Sequence, residues 1–164
     1  MSQVPAHLFK HHLWANSELL EVCDGMSDGV LDATVNGTYG SVRDTFVHLF
    51  AAEERYLGRI SEYAPEPPLA EGTFPGFRVL RERCSASGEA LIELVGKETG
   101  DRIISGEHPR YGKFAIPVST FLAQAINHAT EHRSHICTIL TQQGVEAPGL
   151  DVWTYEESVA EGSQ

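Results

Sequence analysis

Two histidines four residues apart are the clearest chemical signal in the sequence. His128 and His132 lie in a segment whose apolar residues recur at three- and four-residue steps, and a helix places them about one turn apart on one face. Two imidazoles in this arrangement can bind one divalent metal ion, and three protein ligands with an open fourth position are typical of a catalytic zinc site. The pair shares its face with apolar residues, where unbonded ring nitrogens are costly to bury. A metal ion or a polar pocket would satisfy those nitrogens.

A third ligand must come from another helix, and His48 is a candidate. It lies in the second helical segment, at the flank of a stripe marked by Leu49 and Tyr56, which would put a metal near a groove open to substrate or water. Taken alone, His48 favours the simpler interpretation of a partly exposed helical histidine. A metal-free bundle whose histidines are hydrogen-bonded core groups also stays open as an interpretation.

Four segments with helical periodicity must position these residues. Ser41 has the character of an N-cap, with Asp44 three residues on, and a proline-rich stretch follows the second segment. The predicted segments run from about Pro5 to Met26, Ser41 to Tyr63, Phe77 to Glu98, and Pro117 to Gly144. They predict an all-α four-helix bundle.

The segment between the third and fourth helices is irregular. Gly106, Pro109 and Gly112 break any helix there, while residues 102–104 and 113–116 could pair as a short hairpin. We expect one domain over residues 1–164, with an acidic tail that packs back on the bundle through a few apolar residues. The last several residues are expected to form a loose end.

Composition narrows the function. The formal net charge of -11 and the pI of about 5.1 disfavour nucleic acids and anionic membranes as partners. The sequence has no apolar run of about 20 residues and no secretory signal, so a cytoplasmic location is expected. Cys23, Cys84 and Cys137 are odd in number and widely spaced, which indicates buried, inert thiols rather than disulfides or a thiolate zinc site.

The first segment carries three further histidines. His12 lies on its apolar stripe, and His7 and His11 form a second pair four residues apart. We interpret all three as surface or packing residues rather than ligands.

Two blocks and one short motif resemble a known family. Residues 41–53 read SVRDTFVHLFAAE, residues 127–136 read NHATEHRSHI, and residues 14–16 read WAN. The first block is similar to the second-helix pattern of the DinB-like superfamily, in which a histidine is followed by leucine and later by glutamate. The second block resembles its fourth-helix signature, and the short motif matches a common first-helix feature. The superfamily includes DNA-damage-inducible DinB proteins, bacillithiol transferases and mycothiol-dependent maleylpyruvate isomerases.

This resemblance covers most of the chain and implies a DinB-like four-helix bundle. It also implies that His48, His128 and His132 hold one divalent metal ion per chain. Zinc or nickel is favoured, although imidazole also suits iron and copper.

The chain departs from the family pattern beside the fourth-helix ligands. Glu131 stands where relatives often have a second histidine, and Ser134-His135 replaces a common Gly-Gln. His135 falls on nearly the same helical face as His132, so it is a candidate fourth ligand, a partner of a ligand, a proton shuttle or, as we favour, a pocket-lining residue. Glu53, on the inward stripe of the second helix, is a candidate to support the ligands, to line the pocket or to form buried hydrogen bonds. Glu131 is a further candidate to support the ligands or line the pocket.

The implied function is a metal-dependent enzyme that activates a low-molecular-weight thiol, as a thiol S-transferase does, or water. Its partners would be a small thiol and an electrophile that enters beside the irregular loop, and the resemblance also allows a homodimer. The alternative is a non-catalytic, metal-binding stress-response protein. Its site would be closed by a fourth protein ligand, for which His135 is the first candidate.

Overall fold

A computed structural model of the protein describes residues 4–98, 100–110 and 112–162. Within these residues the chain forms α1 (Val4–Cys23), α2 (Asp28–Leu31), α3 (Val42–Ile60), α4 (Phe77–Lys97), β1 (Ile103–His108), β2 (Gly112–Pro117), α5 (Val118–Gln142) and α6 (Val152–Glu161). The four long helices confirm the predicted helical bundle, and the two-stranded sheet is a minor addition. None of the helices in the described ranges is both long and apolar enough to span a membrane.

Local sequence sets the ends of the two helices that carry the candidate ligands. Ser41 Oγ accepts a hydrogen bond from Asp44 N at 3.1 Å, and the Asp44 carboxylate accepts one from Ser41 N, so a capping box begins α3. Gly144, with a φ of 74°, follows the last residues of α5, where a left-handed conformation ends the helix. The predicted helix bounds are correct to within three residues.

Helices α1 and α4 pack side by side in opposite directions. Leu13 of α1 lies against Gly88 of α4, and Asp24, just after α1, pairs with Arg81 nearer the beginning of α4. The absence of a side chain at Gly88 allows the two helices to approach closely.

Helices α3 and α4 run in the same direction. The Phe46 ring contacts the Phe77 ring near the beginnings of the two helices, and Glu53 bonds Ser87 further along both. Parallel neighbours cannot be joined by a tight turn, so residues 61–76 must return along the bundle from the end of α3 to the beginning of α4. Four-helix bundles with one such crossover connection are a common variant.

Helix α5 lies beside α3 and runs opposite to it. The base of the hairpin is fixed near the end of α3, since Arg102 donates to the Ile60 carbonyl at 2.8 Å and Val118 N donates to Arg102 O at 2.9 Å. β1 and β2 pair antiparallel, from Ile103 opposite Pro117 to His108 opposite Gly112. The hairpin therefore joins the bundle at the end of α3 that is remote from His48.

Polar side chains from all four long helices are bonded to one another in the centre of the bundle. Glu53 of α3 accepts hydrogen bonds from His12 Nε2 of α1, at 2.6 Å, and from Ser87 Oγ of α4. Asn16 of α1 accepts one from Arg133 Nη1 of α5 at 2.7 Å, and its amide nitrogen lies 3.3 Å from His12 Nε2. Each of these five side chains is at most 5% exposed. We call them the central polar network.

The central polar network keeps a carboxylate ionised inside the protein. Burial alone would raise the pKa of Glu53, but the charge of His12 and the hydrogen bonds from His12 and Ser87 hold it below its ordinary value. Glu53 is therefore the buried hydrogen-bonding group that the sequence suggested. Its partner His12 is buried in the core, as a packing residue would be, and the structure adds the hydrogen bond to Glu53.

Two helices escaped the sequence analysis, the four-residue α2 and the C-terminal α6. Asp151 caps α6 by accepting from the backbone of residues 153 and 154. Tyr155 then packs against His7, His11 and Trp14 of α1, so the tail folds back as expected. Trp153, by contrast, is 81% exposed. The expected loose end falls partly on residues 163 and 164, which lie outside the described residues.

The close contact at Gly88 predicts a destabilising substitution. A Cβ at this position would lie 2.6 Å from Leu13 Cδ1 and 3.0 Å from Leu13 Cβ. We expect Gly88→Ala to lower the free energy of unfolding, measured with urea, by about 1–3 kcal/mol because the helices must separate.

Gly96→Ala, in the last turn of the same helix, is the matched control. In the described part of the chain, no atom beyond the adjoining residues and the local helix backbone lies within 4 Å of the Cβ that this change adds. The control should gain up to about 1 kcal/mol from helix propensity alone. Equal effects of the two substitutions would contradict the contact between α1 and α4.

Candidate metal centre

Three histidine side chains from α3 and α5 converge on one point. His48 lies in the second turn of α3, where the capping box places it, and His128 and His132 lie one turn apart on α5. His128 Nε2 is 3.2 Å from His48 Nε2 and 3.1 Å from His132 Nε2. The three ligand atoms all lie within 4.8 Å of one another, which is close enough to bind one metal ion. We call these residues the histidine triad.

The spacing of the triad fits a tetrahedral metal. Imidazole nitrogens bind zinc at about 2.0–2.1 Å, and two such nitrogens at a tetrahedral angle are about 3.3–3.4 Å apart. The observed separations of 3.1 and 3.2 Å are close to this value. His132 Nδ1 is also buried and lacks a hydrogen-bond partner among the described residues. A neutral imidazole that is protonated at Nδ1 presents an unprotonated Nε2, and an unprotonated nitrogen is the form that binds metal.

The chain is similar to known proteins over nearly its whole length. A family model described as the DinB family matches residues 1–163. The chain belongs to the DinB family. Protein DinB of Bacillus subtilis (strain 168) is 20% identical over 168 residues, which cover 94% of this chain and 95% of that protein. The crystal structure of a DinB-like protein from Bacillus cereus ATCC 10987 has a TM-score of 0.66 and 19% identity, covering 85% of this chain and 91% of that one. The resemblance inferred from the sequence blocks is thereby confirmed.

In this DinB family protein two members of the triad, His128 and His132, resist protonation. Burial, followed by the charge of His48, lowers the pKa of His128 to about 4. Burial, followed by the charges of His128 and His48, lowers the pKa of His132 to about 4. Both rings are therefore neutral at pH 7, with lone pairs available for a metal cation.

Aromatic rings border the triad. Tyr39, from the loop before α3, stacks on His48 with a centroid distance of 4.0 Å and an angle of 21°, and it meets His132 edge-on at 5.2 Å. Tyr56, two turns further along α3, contacts the edge of His128 at 5.9 Å. These aromatic walls of the site come from α3 and the loop before it. The base of the β1–β2 hairpin, where the sequence predicted an irregular loop or a hairpin, lies at the other end of α3.

A carboxylate that the sequence analysis missed also reaches the triad. Glu71, on the crossover connection, lies 3.1 Å from His48 Nδ1, and Arg55 Nη1 donates to its other oxygen at 2.8 Å. These hydrogen bonds hold the pKa of Glu71 below its ordinary value. Glu71 is one of three glutamates in this proline-rich connection, and no sequence pattern distinguishes it from the other two.

The other residues proposed from the sequence occupy three different environments. His135 is half-buried, with its ring 5.3 Å from that of His132, but it is not one of the three residues whose ligand atoms converge. Glu131 is exposed, and its charge acts to raise the pKa of His132. Glu53 belongs to the central polar network, where it bonds His12 and Ser87. The roles of His135 and Glu131 stay predictions.

The cysteines match the prediction of buried, inert thiols in two cases. Burial raises the pKa of Cys23 and of Cys84 to about 12, so neither is a thiolate at neutral pH. Cys137 is half-buried, and burial also raises its pKa.

The lowered pKa values predict how the metal-free protein responds to acid. The ordinary histidine pKa is 6.5, whereas His128 and His132 titrate near 4 in the folded chain. Between these values the unfolded chain binds more protons, so the stability conferred by the neutral rings is present above pH 6.5 and is lost as the pH falls toward 4. Urea denaturation in a chelator at a series of pH values should show this decline.

The His128→Ala/His132→Ala double variant provides the comparison. It lacks both groups, so its free energy of unfolding should fall less between pH 7 and pH 5. An equally steep decline in the two proteins would show that other groups cause the acid sensitivity.

Proposed function

We propose that this protein is a metal-dependent enzyme in which His48, His128 and His132 hold one zinc or nickel ion. The activated nucleophile would be a low-molecular-weight thiol or, failing that, water. The observation that carries the proposal is the convergence of three imidazoles from two helices, whose candidate ligand atoms all lie within 4.8 Å of one another. Three protein ligands leave one position of a tetrahedral site for a small molecule, as in catalytic zinc centres.

The proposed chemistry requires a bound metal ion and histidine rings that are unprotonated at neutral pH. A divalent ion bound by three neutral imidazoles keeps its positive charge and lowers the pKa of a thiol or water that it binds. The protein supplies neutral rings, since the pKa values of His128 and His132 lie at about 4. Tyr39 covers one face of His48 and so limits the directions from which a small molecule can enter.

Two observations favour a thiol that arrives as a separate molecule. The blocks that carry the triad resemble those of thiol transferases in the same superfamily. The chain's own cysteines are unsuited to act as nucleophiles, because burial raises the pKa of Cys23 and Cys84 to about 12 and also raises the pKa of Cys137. In a transfer reaction the sulfur of the external thiol forms the new carbon–sulfur bond, the leaving group departs with its electron pair, and the thiol proton passes to solvent.

Metal content is the first prediction of this proposal. The purified, untagged protein should contain about one zinc or nickel ion per chain, and the His128→Ala/His132→Ala variant should contain almost none, as measured by elemental analysis. A free metal concentration of 100 times the Kd should also raise the free energy of unfolding by about 2.7 kcal/mol.

The His7→Ala/His11→Ala variant is a matched control for metal content. It removes another histidine pair at the same spacing, whose members contact Glu156 and the Leu150 carbonyl instead of the triad. This variant should keep its metal. A wild-type protein that takes up no metal and melts no higher in its presence would refute the metal site.

Activity is the second prediction. The metal-loaded protein should accelerate the reaction of a small thiol with a chromogenic aryl chloride, in which the thiol sulfur replaces chloride. The His128→Ala/His132→Ala variant should show only the uncatalysed rate, and the His7→Ala/His11→Ala variant should retain the wild-type rate. Stoichiometric metal without acceleration across a panel of thiols, electrophiles and hydrolysable esters would instead support the non-catalytic, metal-binding alternative.

A further inference from the structure

The carboxylate of Glu71 is shared by three side chains at the edge of the triad. His48 Nδ1 lies 3.1 Å from Oε2, the Tyr39 hydroxyl donates to the same oxygen at 3.3 Å, and Arg55 Nη1 donates to Oε1 at 2.8 Å. Tyr39 belongs to the loop before α3, Arg55 belongs to α3, and Glu71 belongs to the crossover connection. One carboxylate therefore ties three parts of the chain together beside the triad.

The contact with Glu71 determines which nitrogen of His48 carries a proton. An ionised carboxylate only accepts hydrogen bonds, so His48 Nδ1 must be the donor. In the neutral ring, Nε2 is then unprotonated, and this is the atom that faces His128 Nε2 at 3.2 Å. A carboxylate that accepts from the remote nitrogen of a ligating histidine fixes the tautomer and the orientation of the ring.

His48 depends on such a contact more than the other two members of the triad. His128 and His132 are held in register by one helix, and His132 is 5% exposed. His48 comes from a different helix, and its side chain is 19% exposed. Its ring is fixed from two sides, by stacking on Tyr39 and by the hydrogen bond to Glu71.

We propose that Glu71 is a positioning residue that holds His48 in the tautomer and orientation required for metal binding through Nε2. Arg55 and Tyr39 keep the Glu71 carboxylate in place. The inference rests on the proposed function in so far as the triad is a metal site, but the effect of Glu71 on the His48 tautomer exists without metal.

The first test measures zinc affinity by competition with a chromophoric chelator. Glu71→Ala should weaken zinc binding about 10- to 100-fold, which is the usual effect of removing such a partner. Glu71→Gln should be intermediate, because its amide oxygen still accepts from Nδ1 but carries no charge. Glu62→Gln, which removes the charge of an exposed glutamate of the same connection, should bind zinc like the wild type.

The second test reads the tautomer directly. In the metal-free protein at pH 8, ¹⁵N NMR of the histidine rings should show His48 protonated mainly at Nδ1. Glu71→Ala should shift His48 toward the form protonated at Nε2. The control Glu62→Gln should show the same His48 tautomer as the wild type. Zinc affinity like that of the wild type in Glu71→Ala, or a His48 tautomer that does not change, would overturn the proposal.

The two tests separate this inference from the proposed function. A wild-type protein that binds no metal defeats the proposed function, while the tautomer measurement still decides the role of Glu71. A loss of zinc affinity without a change of tautomer would assign Glu71 a merely structural role and would also overturn the inference.

Discussion

The ionised carboxylate of Glu53 lies at the centre of the bundle, and every long helix is placed by the need to keep it and its neighbours bonded. A buried carboxylate without partners is costly, so α1 must present His12 and α4 must present Ser87 at the same level. Asn16 of α1 then accepts from Arg133, which brings α5 under the same constraint. Apolar packing tolerates small rotations of a helix, whereas these directional bonds do not.

The same bonds direct the histidine triad. His48 precedes Glu53 by five residues, or about 140° around an α-helix, so a Glu53 that faces α1 and α4 leaves His48 facing α5. His132 directly precedes Arg133, about 100° away, so an Arg133 that faces α1 turns His132 toward α3. The central polar network and the triad are therefore two consequences of one set of helix rotations. The convergence of the three Nε2 atoms depends on buried contacts that include none of them.

The relative directions of α3 and α4 explain how Glu71 reaches the site. Because α3 and α4 run parallel, residues 61–76 must return along the bundle, and this path brings Glu71 to His48 and Arg55. Arg83 of α4 fastens the connection by donating to the Pro67 carbonyl and by pairing with Glu54 at 3.0 Å. A tight turn between antiparallel helices would leave no segment to cover the triad. The topology thus contributes a carboxylate to the site that neither metal-bearing helix provides.

The sequence by itself determined what depends on neighbours along the chain. Helical periodicity gave the four long helices, the Ser41–Asp44 pair predicted the beginning of α3, and the four-residue spacing put His128 and His132 on one face. The position of His48 made it a candidate third ligand, but only the family resemblance favoured it over an ordinary helical histidine. The tertiary structure alone decided that His12 pairs with Glu53, 41 residues away, and that Glu71 meets His48, 23 residues away. Such contacts follow from helix rotation and chain direction, which are set by packing over the whole bundle and leave no periodic trace in the sequence.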